Sequence, residues 1–194
     1  MNGWMGGLML IGSLMVAGCS TTATTLTYDA ARVAPVTQPA KALVEIASVS
    51  DSRGVDAKWL GAIRGGYGNP LKILESNGPV TDVVRSGFAA GLNARGLTGG
   101  TSQYAMRIDI QKLDCSQYVR REAHAQIGVS LVDKTSGQVA YQRQAVANQV
   151  TGSLFSLDVG IFASVEDLRK VANVVLQEAV DQTLDDPKFL ALLR

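Results

Sequence analysis

The sequence is poor in the residues that most often build catalytic and metal centres. Its 194 residues include one histidine, His124, and two cysteines, Cys19 and Cys115. No histidine or cysteine cluster has zinc-ligand spacing, and no Gly-x-Ser-x-Gly segment marks the nucleophile elbow of a serine hydrolase. We therefore predict no catalytic residues, no metal site and no cofactor, and we expect a protein that is not an enzyme.

An excess of charge of one sign is also lacking. The 18 Lys and Arg residues are balanced by 17 Asp and Glu residues, which leaves a net charge of +1 at pH 7. A near-neutral chain lacks the overall basic charge that is typical of nucleic-acid binding and of strong attraction to acidic lipids. We therefore expect no nucleic-acid partner.

Charged residues are absent from residues 1–18, and residues 4–16 are almost wholly apolar or glycine. This apolar core is shorter than the roughly 20 residues that span a bilayer. It ends in the small residues Ala17 and Gly18, directly before Cys19. The pattern is typical of a secretory signal peptide. The alternative is a buried helix in which the cysteine occurs by chance.

The segment Leu-x-x-Ala-Gly-Cys, which ends at Cys19, resembles the lipobox of bacterial lipoproteins. The resemblance implies that the Cys19 thiol receives a diacylglyceryl group, that the chain is cut before it, and that the new amine is acylated. Two or more acyl chains hold a protein stably on a membrane. Ser20, rather than aspartate, follows the cysteine, and by the same resemblance this implies the cell outer membrane, with the domain in the periplasm.

Residues 19–41 join this lipidated cysteine to the rest of the chain. They are rich in threonine and alanine, contain two prolines, and show no sustained periodicity. Such a composition predicts a flexible tether. At about 3.3 Å per extended residue, the stretch from Ser20 to about Pro39 could hold the domain up to about 60 Å from the membrane. The length that remains, residues 42–194, suits a single globular domain.

The pattern of this domain predicts an α+β fold. Residues 42–50 are rich in β-branched side chains, which predicts a strand. Residues 51–78 are predicted to form an irregular or hairpin excursion. Helical spacing follows over residues 80–96, and three alternating segments then predict strands, with a β-bulge near Lys112. A last helix begins at Ser164. We expect a mostly antiparallel sheet of about four strands, in the order strand, helix, three strands, helix, with both helices on one face.

Several short motifs follow the lipobox in a fixed order: Asp51-Ser52-Arg53, then NARGL, VTGSLF and ANVVLQEAVDQTL. In this order the chain resembles the YajG-like family of bacterial lipoproteins. Its layout is also similar, more distantly, to that of auxiliary lipoproteins of lipid transporters. The resemblance implies a fold and a location, and it implies no established activity.

Two groups of residues are candidate sites. Asp51 and Arg53 flank one residue after the first strand, and they either pin this loop by charge-assisted hydrogen bonds, which we favour, or contact a ligand. Leu154, Phe155 and Leu157 give a connecting segment more apolar surface than a solvated loop needs. In the interpretation that we favour, Phe155 closes the end of the core while Ile161 and Phe162 pack the start of the last helix onto Leu168. In the alternative, Leu154, Phe155 and Leu157 stay partly exposed and form a partner or membrane contact.

Three other features carry a structural interpretation in preference to a functional one. His124 falls on the polar side of a strand, which predicts a surface or hairpin-pairing role. We expect Cys115 to be buried as a small apolar residue, with a redox role as the alternative. Residues 65–70, GGYGNP, fail as a phosphate loop because Pro70 lacks a backbone donor and Leu71 replaces the required glycine.

Three functions remain open. The first, which we favour, is a lipid-anchored, non-catalytic binding or accessory module with an envelope protein as partner. The second is an auxiliary subunit of a lipid-transport or envelope-assembly complex, and the third is a hydrolase built from scattered Asp, Glu and Ser residues. An apolar groove or a sheet edge would favour the first two, and a deep pocket with two apposed carboxylates would favour the third.

Overall fold

The computed structural model describes residues 20–33, 43–99, 101–152 and 164–193. Within these ranges, a seven-stranded mixed sheet is accompanied by three α-helices and a 3-10 helix at Ala30–Arg32. The strands are β1 (Ser20–Thr24), β2 (Val44–Asp51), β3 (Trp59–Arg64), β4 (Pro70–Ser76), β5 (Tyr104–Gln117), β6 (Arg121–Asp133) and β7 (Val139–Thr151). The α-helices are α1 (Val80–Ala94), α2 (Val165–Leu184) and α3 (Pro187–Leu193).

The three longest strands, β5 to β7, form the antiparallel series that their alternating pattern predicts. Alternate residues of β5, such as Met106 and Ile108, are buried beneath α2, while polar residues between them face the other way. The register of β5 against β6 shifts between Ile110 and Lys112. This shift confirms the predicted bulge, which restores the alternation after an extra residue.

Strand β5 has two successive neighbours on the side opposite β6. Its first half, Tyr104 to Ile110, pairs in parallel with β2, and its end, Cys115 to Gln117, pairs in parallel with β3. Strand β4 returns antiparallel to β3, and β1 lies parallel to β4 at the edge of the sheet. The described sheet therefore combines three antiparallel pairings with three parallel ones.

The prediction of about four mostly antiparallel strands with two helices is wrong. The described residues form seven strands in a mixed sheet and three α-helices. The excursion at residues 51–78 contains the β3–β4 hairpin, which supplies two of the missing strands. Strand β3 is buried over most of its length, so its sequence WLGAIR lacks the alternation that marks a half-exposed strand.

Residues 20–33 are folded onto the domain, where the sequence predicts a tether. Strand β1 extends the sheet beside β4, and Leu26 is 4% exposed. The backbone N–H of Asp29 donates to the side chain of Gln177 in α2 at 2.8 Å. A five-residue, threonine-rich edge strand carries no apolar alternation, and the sequence pattern therefore gives no sign of it. The predicted tether does not hold for these residues.

Helices α1 and α2 pack closely because α1 carries glycine at the contact. A Cβ atom on Gly91 would lie 2.8 Å from Leu184 and 2.9 Å from Val180 of α2. A Cβ atom on Gly87, one turn earlier, would meet α2 at an ordinary distance of 3.8 Å. Gly91 is therefore the position at which the absence of a side chain permits this approach.

Candidate functional site

Arg53 lies at the centre of the loop that follows β2, and its side chain is only 4% exposed. Its guanidinium binds Asp51 in a bidentate manner, with Nε to Oδ1 at 2.8 Å and Nη2 to Oδ2 at 2.7 Å. Its Nη1 also donates to the backbone carbonyls of Trp59 at 2.7 Å and Leu113 at 3.1 Å. The side chain therefore connects the loop to the start of β3 and to β5.

The hydrogen bonds from Arg53 hold the pKa of Asp51 below its ordinary value of 3.8, against the opposing effect of burial. Both carboxylate oxygens of Asp51 accept from this guanidinium. These contacts match the loop-pinning role that the sequence favours. The alternative ligand role of the pair stays a prediction.

A cleft of about 260 Å³ opens beside this loop, with Arg53, Trp59, Lys112 and Asp114 in its lining. Burial raises the pKa of Asp114, while the nearby charges of Lys112 and His124 act in the opposite direction. The Arg53 guanidinium is engaged by protein oxygens. The other charged groups of this cleft, Lys112 and Asp114, pair with each other, with Nζ 4.0 Å from Oδ2.

A larger groove, of about 360 Å³, lies between β2 and α1. Its lining is mainly apolar and includes Val44, Ile46, Ala89 and Leu92, together with the guanidinium of Arg85. We refer to it as the β2–α1 groove. Its position beside a strand and a helix gives it the apolar walls typical of small-molecule and peptide sites.

Two backbone groups of β2 are satisfied by α1 and the residues after it. Nη1 of Arg85 donates to the Ile46 carbonyl at 3.1 Å, and the Val44 N–H donates to the Leu97 carbonyl at 3.0 Å. These bonds fix the first residues of β2 against α1 and against the residues that follow it. The β2–α1 groove is therefore built on a braced strand.

The carboxylate in this lining is Glu45, and its neighbours neutralise it. Its Oε1 lies 2.6 Å from Nζ of Lys134, and its Oε2 accepts from the Ser102 hydroxyl at 2.9 Å. The bonds from Lys134 and Ser102 lower the pKa of Glu45 below its ordinary value. The groove thus offers a ligand apolar walls and the cation of Arg85.

A second buried arginine, Arg95, was not predicted. It follows α1, its side chain is 4% exposed, and its Nε and Nη2 bind the carboxylate oxygens of Asp185 at 2.8 and 2.9 Å. Nη2 also binds Asp181 at 3.0 Å, and Nη1 donates to the Tyr28 hydroxyl at 2.9 Å and the Gly91 carbonyl at 3.1 Å. We call this set of contacts the Arg95 junction.

The Arg95 junction changes the proton affinity of its members. Burial alone would lower the pKa of Arg95, but the bonds to Asp185, Tyr28 and Asp181 raise it above its ordinary value. Burial and the bond to Asp181 raise the pKa of Tyr28. The motif NARGL contains Arg95, and ANVVLQEAVDQTL contains Asp181 and is followed directly by Asp185. Nothing in the sequence shows that residues 86 and 90 positions apart meet.

Two structural predictions are confirmed. Cys115 is buried and its Sγ lies 3.5 Å from the Leu60 carbonyl, and burial raises the pKa of its thiol to about 12. His124 lies opposite Asn148 of β7, with its Nδ1 2.8 Å from the Asn148 Oδ1. The cysteine thus packs as an apolar residue, and the histidine pairs across the hairpin.

The remaining predicted residues, Cys19, Leu154, Phe155 and Leu157, lie outside the residues that the structure describes. Their roles stay predictions. In the described part of the chain, no three His, Cys, Asp or Glu residues are grouped so that they could hold a metal ion. The helices within the described ranges are also too short or too polar to cross a membrane.

Solved structures show which folds this chain resembles. A Xanthomonas campestris protein of family DUF330 aligns with a TM-score of 0.63 at 13% identity, over 89% of this chain and 97% of that one. A Caulobacter crescentus protein assigned as a lipoprotein aligns with a TM-score of 0.44 at 15% identity, over 58% and 82%. A minor lipoprotein of Acinetobacter baumannii aligns with a TM-score of 0.37 at 11% identity, over 69% and 94%. The first similarity shows a shared fold.

Sequence comparison gives the family. No curated protein matches the chain. Residues 33–194 match the model of a bacterial family described as "uncharacterized lipoprotein". Because this match spans most of the sequence, the chain belongs to that family of lipoproteins, and this membership indicates association with the cell envelope.

Proposed function

We propose that this protein is anchored by acyl groups on Cys19 to the outer membrane and acts in the periplasm as a non-catalytic binding or accessory module. Its partner is an envelope protein. Membership of a lipoprotein family supports the anchor, and the order of motifs supports a place in the YajG-like family.

The observation that carries the binding role is the β2–α1 groove. It joins apolar walls to the cation of Arg85, and it lies along a strand that has a described partner, β5, on one side. An apolar groove at a strand is the feature expected of a binding module. Its carboxylate, Glu45, is already paired with Lys134 and Ser102, whereas a hydrolytic pair requires two apposed carboxylates.

The same groove supports a second candidate, an auxiliary subunit of a lipid-transport or envelope-assembly complex. Its volume of about 360 Å³ lies within the range of roughly 300 to 1,000 Å³ for small-molecule pockets. Ile46 and Ala89, the apolar lining residues that keep exposed surface, suit an acyl chain, and the Arg85 guanidinium suits a phosphate headgroup.

A photo-crosslinking amino acid at Ala89 distinguishes these functions in intact envelopes. Ala89 lines the groove and is exposed, so the substitution should not disturb the core. We expect a defined crosslink to an envelope protein, whereas a crosslink to lipid alone would favour the second candidate. The control position is Val139 on β7, which is 57% exposed. Equal products at both positions would contradict a specific role for the groove.

The anchor has its own test in the variant Cys19→Ala. We expect no incorporation of labelled palmitate and no cleavage of the precursor, because the thiol that accepts the lipid is absent. Cys115→Ala is the matched control and should be labelled normally, since that thiol is buried. Palmitate labelling of Cys19→Ala at the wild-type level would contradict the lipobox assignment.

A further inference from the structure

The described chain enters the sheet at a defined end. Ser20, the first residue of β1, pairs with Lys72, and β4 begins at Pro70 directly after the β3–β4 turn. The beginning of β1 and this turn therefore lie at the same end of the sheet. Cys19 immediately precedes Ser20 in the sequence, and consecutive Cα atoms are about 3.8 Å apart. A lipid on Cys19 is thus held next to this end.

Two turns meet there. The parallel pairing of Ile63 with Gln117 brings the end of β3 beside the end of β5, so the β3–β4 and β5–β6 turns are neighbours. The Tyr118 hydroxyl in the second turn donates to the Gly66 carbonyl in the first at 2.8 Å. The two turns are therefore braced against each other.

Apart from Asn69, the side chains that these turns expose are aromatic, apolar and basic. Tyr67 is completely exposed, and Tyr118 and Val119 are 46% and 39% exposed. Arg120 is exposed in the same turn. Arg64 lies at the end of β3, where its Nη1 donates to the Gly68 carbonyl at 3.0 Å and braces the tip.

We propose that this end of the sheet, formed by Tyr67, Tyr118, Val119 and Arg120, rests in the headgroup region of the membrane that holds the Cys19 lipid. We call it the membrane-facing end. The inference rests on the lipid anchor of the proposed function. Tyrosine side chains are favoured at membrane interfaces because they join an apolar ring to a polar hydroxyl. Cationic side chains are attracted to anionic headgroups.

The position of β1 explains why this contact follows from the anchor. A strand that begins one residue after the lipidated cysteine leaves no linker to separate domain and bilayer, in contrast to the predicted reach of about 60 Å. The exposed tips must therefore lie within a few residues' length of the acyl chains. The β2–α1 groove lies near the other end of β5, about 40 Å away along a strand of 14 residues, and it is therefore remote from the bilayer.

Fluorescence quenching by lipid tests this orientation. In a Trp59→Phe background, Tyr67→Trp places the reporter at the membrane-facing end, and Val139→Trp places the control at the start of β7. Val139 pairs with Val132 near the opposite end of the sheet. The mature, lipidated protein is reconstituted into phosphatidylethanolamine and phosphatidylglycerol vesicles with brominated acyl chains. We expect at least twofold lower emission from Tyr67→Trp than in unbrominated vesicles, with the control unchanged.

Flotation of the same vesicles separates failure of the anchor from failure of this orientation. Protein that floats, with quenching at position 67 and none at position 139, supports the inference. Protein that floats with no quenching at position 67, or with equal quenching at both positions, overturns the inference and leaves the anchor intact. Protein that does not float has no lipid anchor, and this result overturns the proposed attachment together with the orientation.

Discussion

Two buried arginines stabilise this fold over very different distances along the chain. Arg53 and Arg95 each leave 4% of the side chain exposed, and each binds a carboxylate through two nitrogen atoms. The carboxylate of Arg53 belongs to Asp51, two residues away, whereas Arg95 binds Asp181 and Asp185, which are 86 and 90 residues away. Similar chemistry therefore has a local effect in one region and a long-range effect in the other.

The difference shows which parts of the molecule each contact holds. Arg53 shapes a loop between β2 and β3, both of which also pair with β5. Arg95 joins the end of α1 to α2 and, through Tyr28, to the N-terminal segment. Loss of the Arg53 contacts should loosen a loop, and loss of the Arg95 contacts should lower the stability of the whole domain.

The largest effect is expected for Arg95→Ala. The change removes a buried guanidinium and leaves the Tyr28 hydroxyl, the Gly91 carbonyl and Asp181 without it. Breaking a fully buried ion pair costs about 3 to 5 kcal/mol. We expect about 3 kcal/mol less free energy of unfolding in urea, because Asp185 is 61% exposed and can be solvated.

Arg107→Ala is the matched control, since Arg107 is an exposed arginine on β5. It should change the free energy of unfolding by less than about 0.5 kcal/mol. A loss of stability no greater for Arg95→Ala than for Arg107→Ala would show that the junction is not required for the fold.

A smaller effect, about 2 kcal/mol, is expected for Arg53→Ala. The variant loses charge-assisted hydrogen bonds, which contribute roughly 1.5 to 3 kcal/mol, but the neighbouring strands remain paired through the backbone. Thermal and urea unfolding measure the change. If the variant instead unfolds like the wild type but loses a crosslinked partner, the loop is a binding site.

The Tyr28→Phe variant should lower stability by about 1 kcal/mol. It keeps the ring but removes the hydroxyl that bonds to Asp181 and Arg95, and a hydrogen bond of this kind contributes about that amount. Hydrogen exchange should increase over residues 20–33 with little change in β5 to β7. Tyr67→Phe, at a fully exposed ring, should show neither effect. Uniformly faster exchange in Tyr28→Phe would argue against a separate N-terminal unit.

The smallest effect is a pH dependence at the Arg53 loop. Because the pKa of Asp51 in the folded protein is below 3.8, its ionised form stabilises the fold above about pH 3.8. This contribution is lost as the pH falls through the lowered pKa. The stability difference between the wild type and Asp51→Asn should therefore be constant near neutral pH and shrink below about pH 3.8. Urea unfolding at several pH values measures it, and a difference independent of pH would contradict the assignment.

The same contrast explains what sequence reasoning could predict. The β5–β6–β7 series was predictable because alternation is a local pattern, and the pinning role of Arg53 was suggested because Asp51 is two residues away. The Arg95 junction and the β2–α1 groove could not be predicted, because both depend on tertiary packing. Only that packing brings Val44 beside Ala89 in the groove. Strand β1 was missed because a short edge strand of threonines needs no apolar face.

The contact between Tyr28 and Asp181 also determines when, during folding, the N-terminal segment can dock onto α2. These residues are 153 positions apart, so the first described segment is held by one of the last helices to be synthesised. Contacts between residues so far apart in the sequence form late in folding, because the entropy lost in closing the long loop comes before the stabilisation that the contact provides. The bonds of residues 27–29 to α2 therefore form only after α2 has formed, whereas β1 can pair with β4 before then. This delay postpones the final docking of the N-terminal segment until nearly the whole chain has been synthesised.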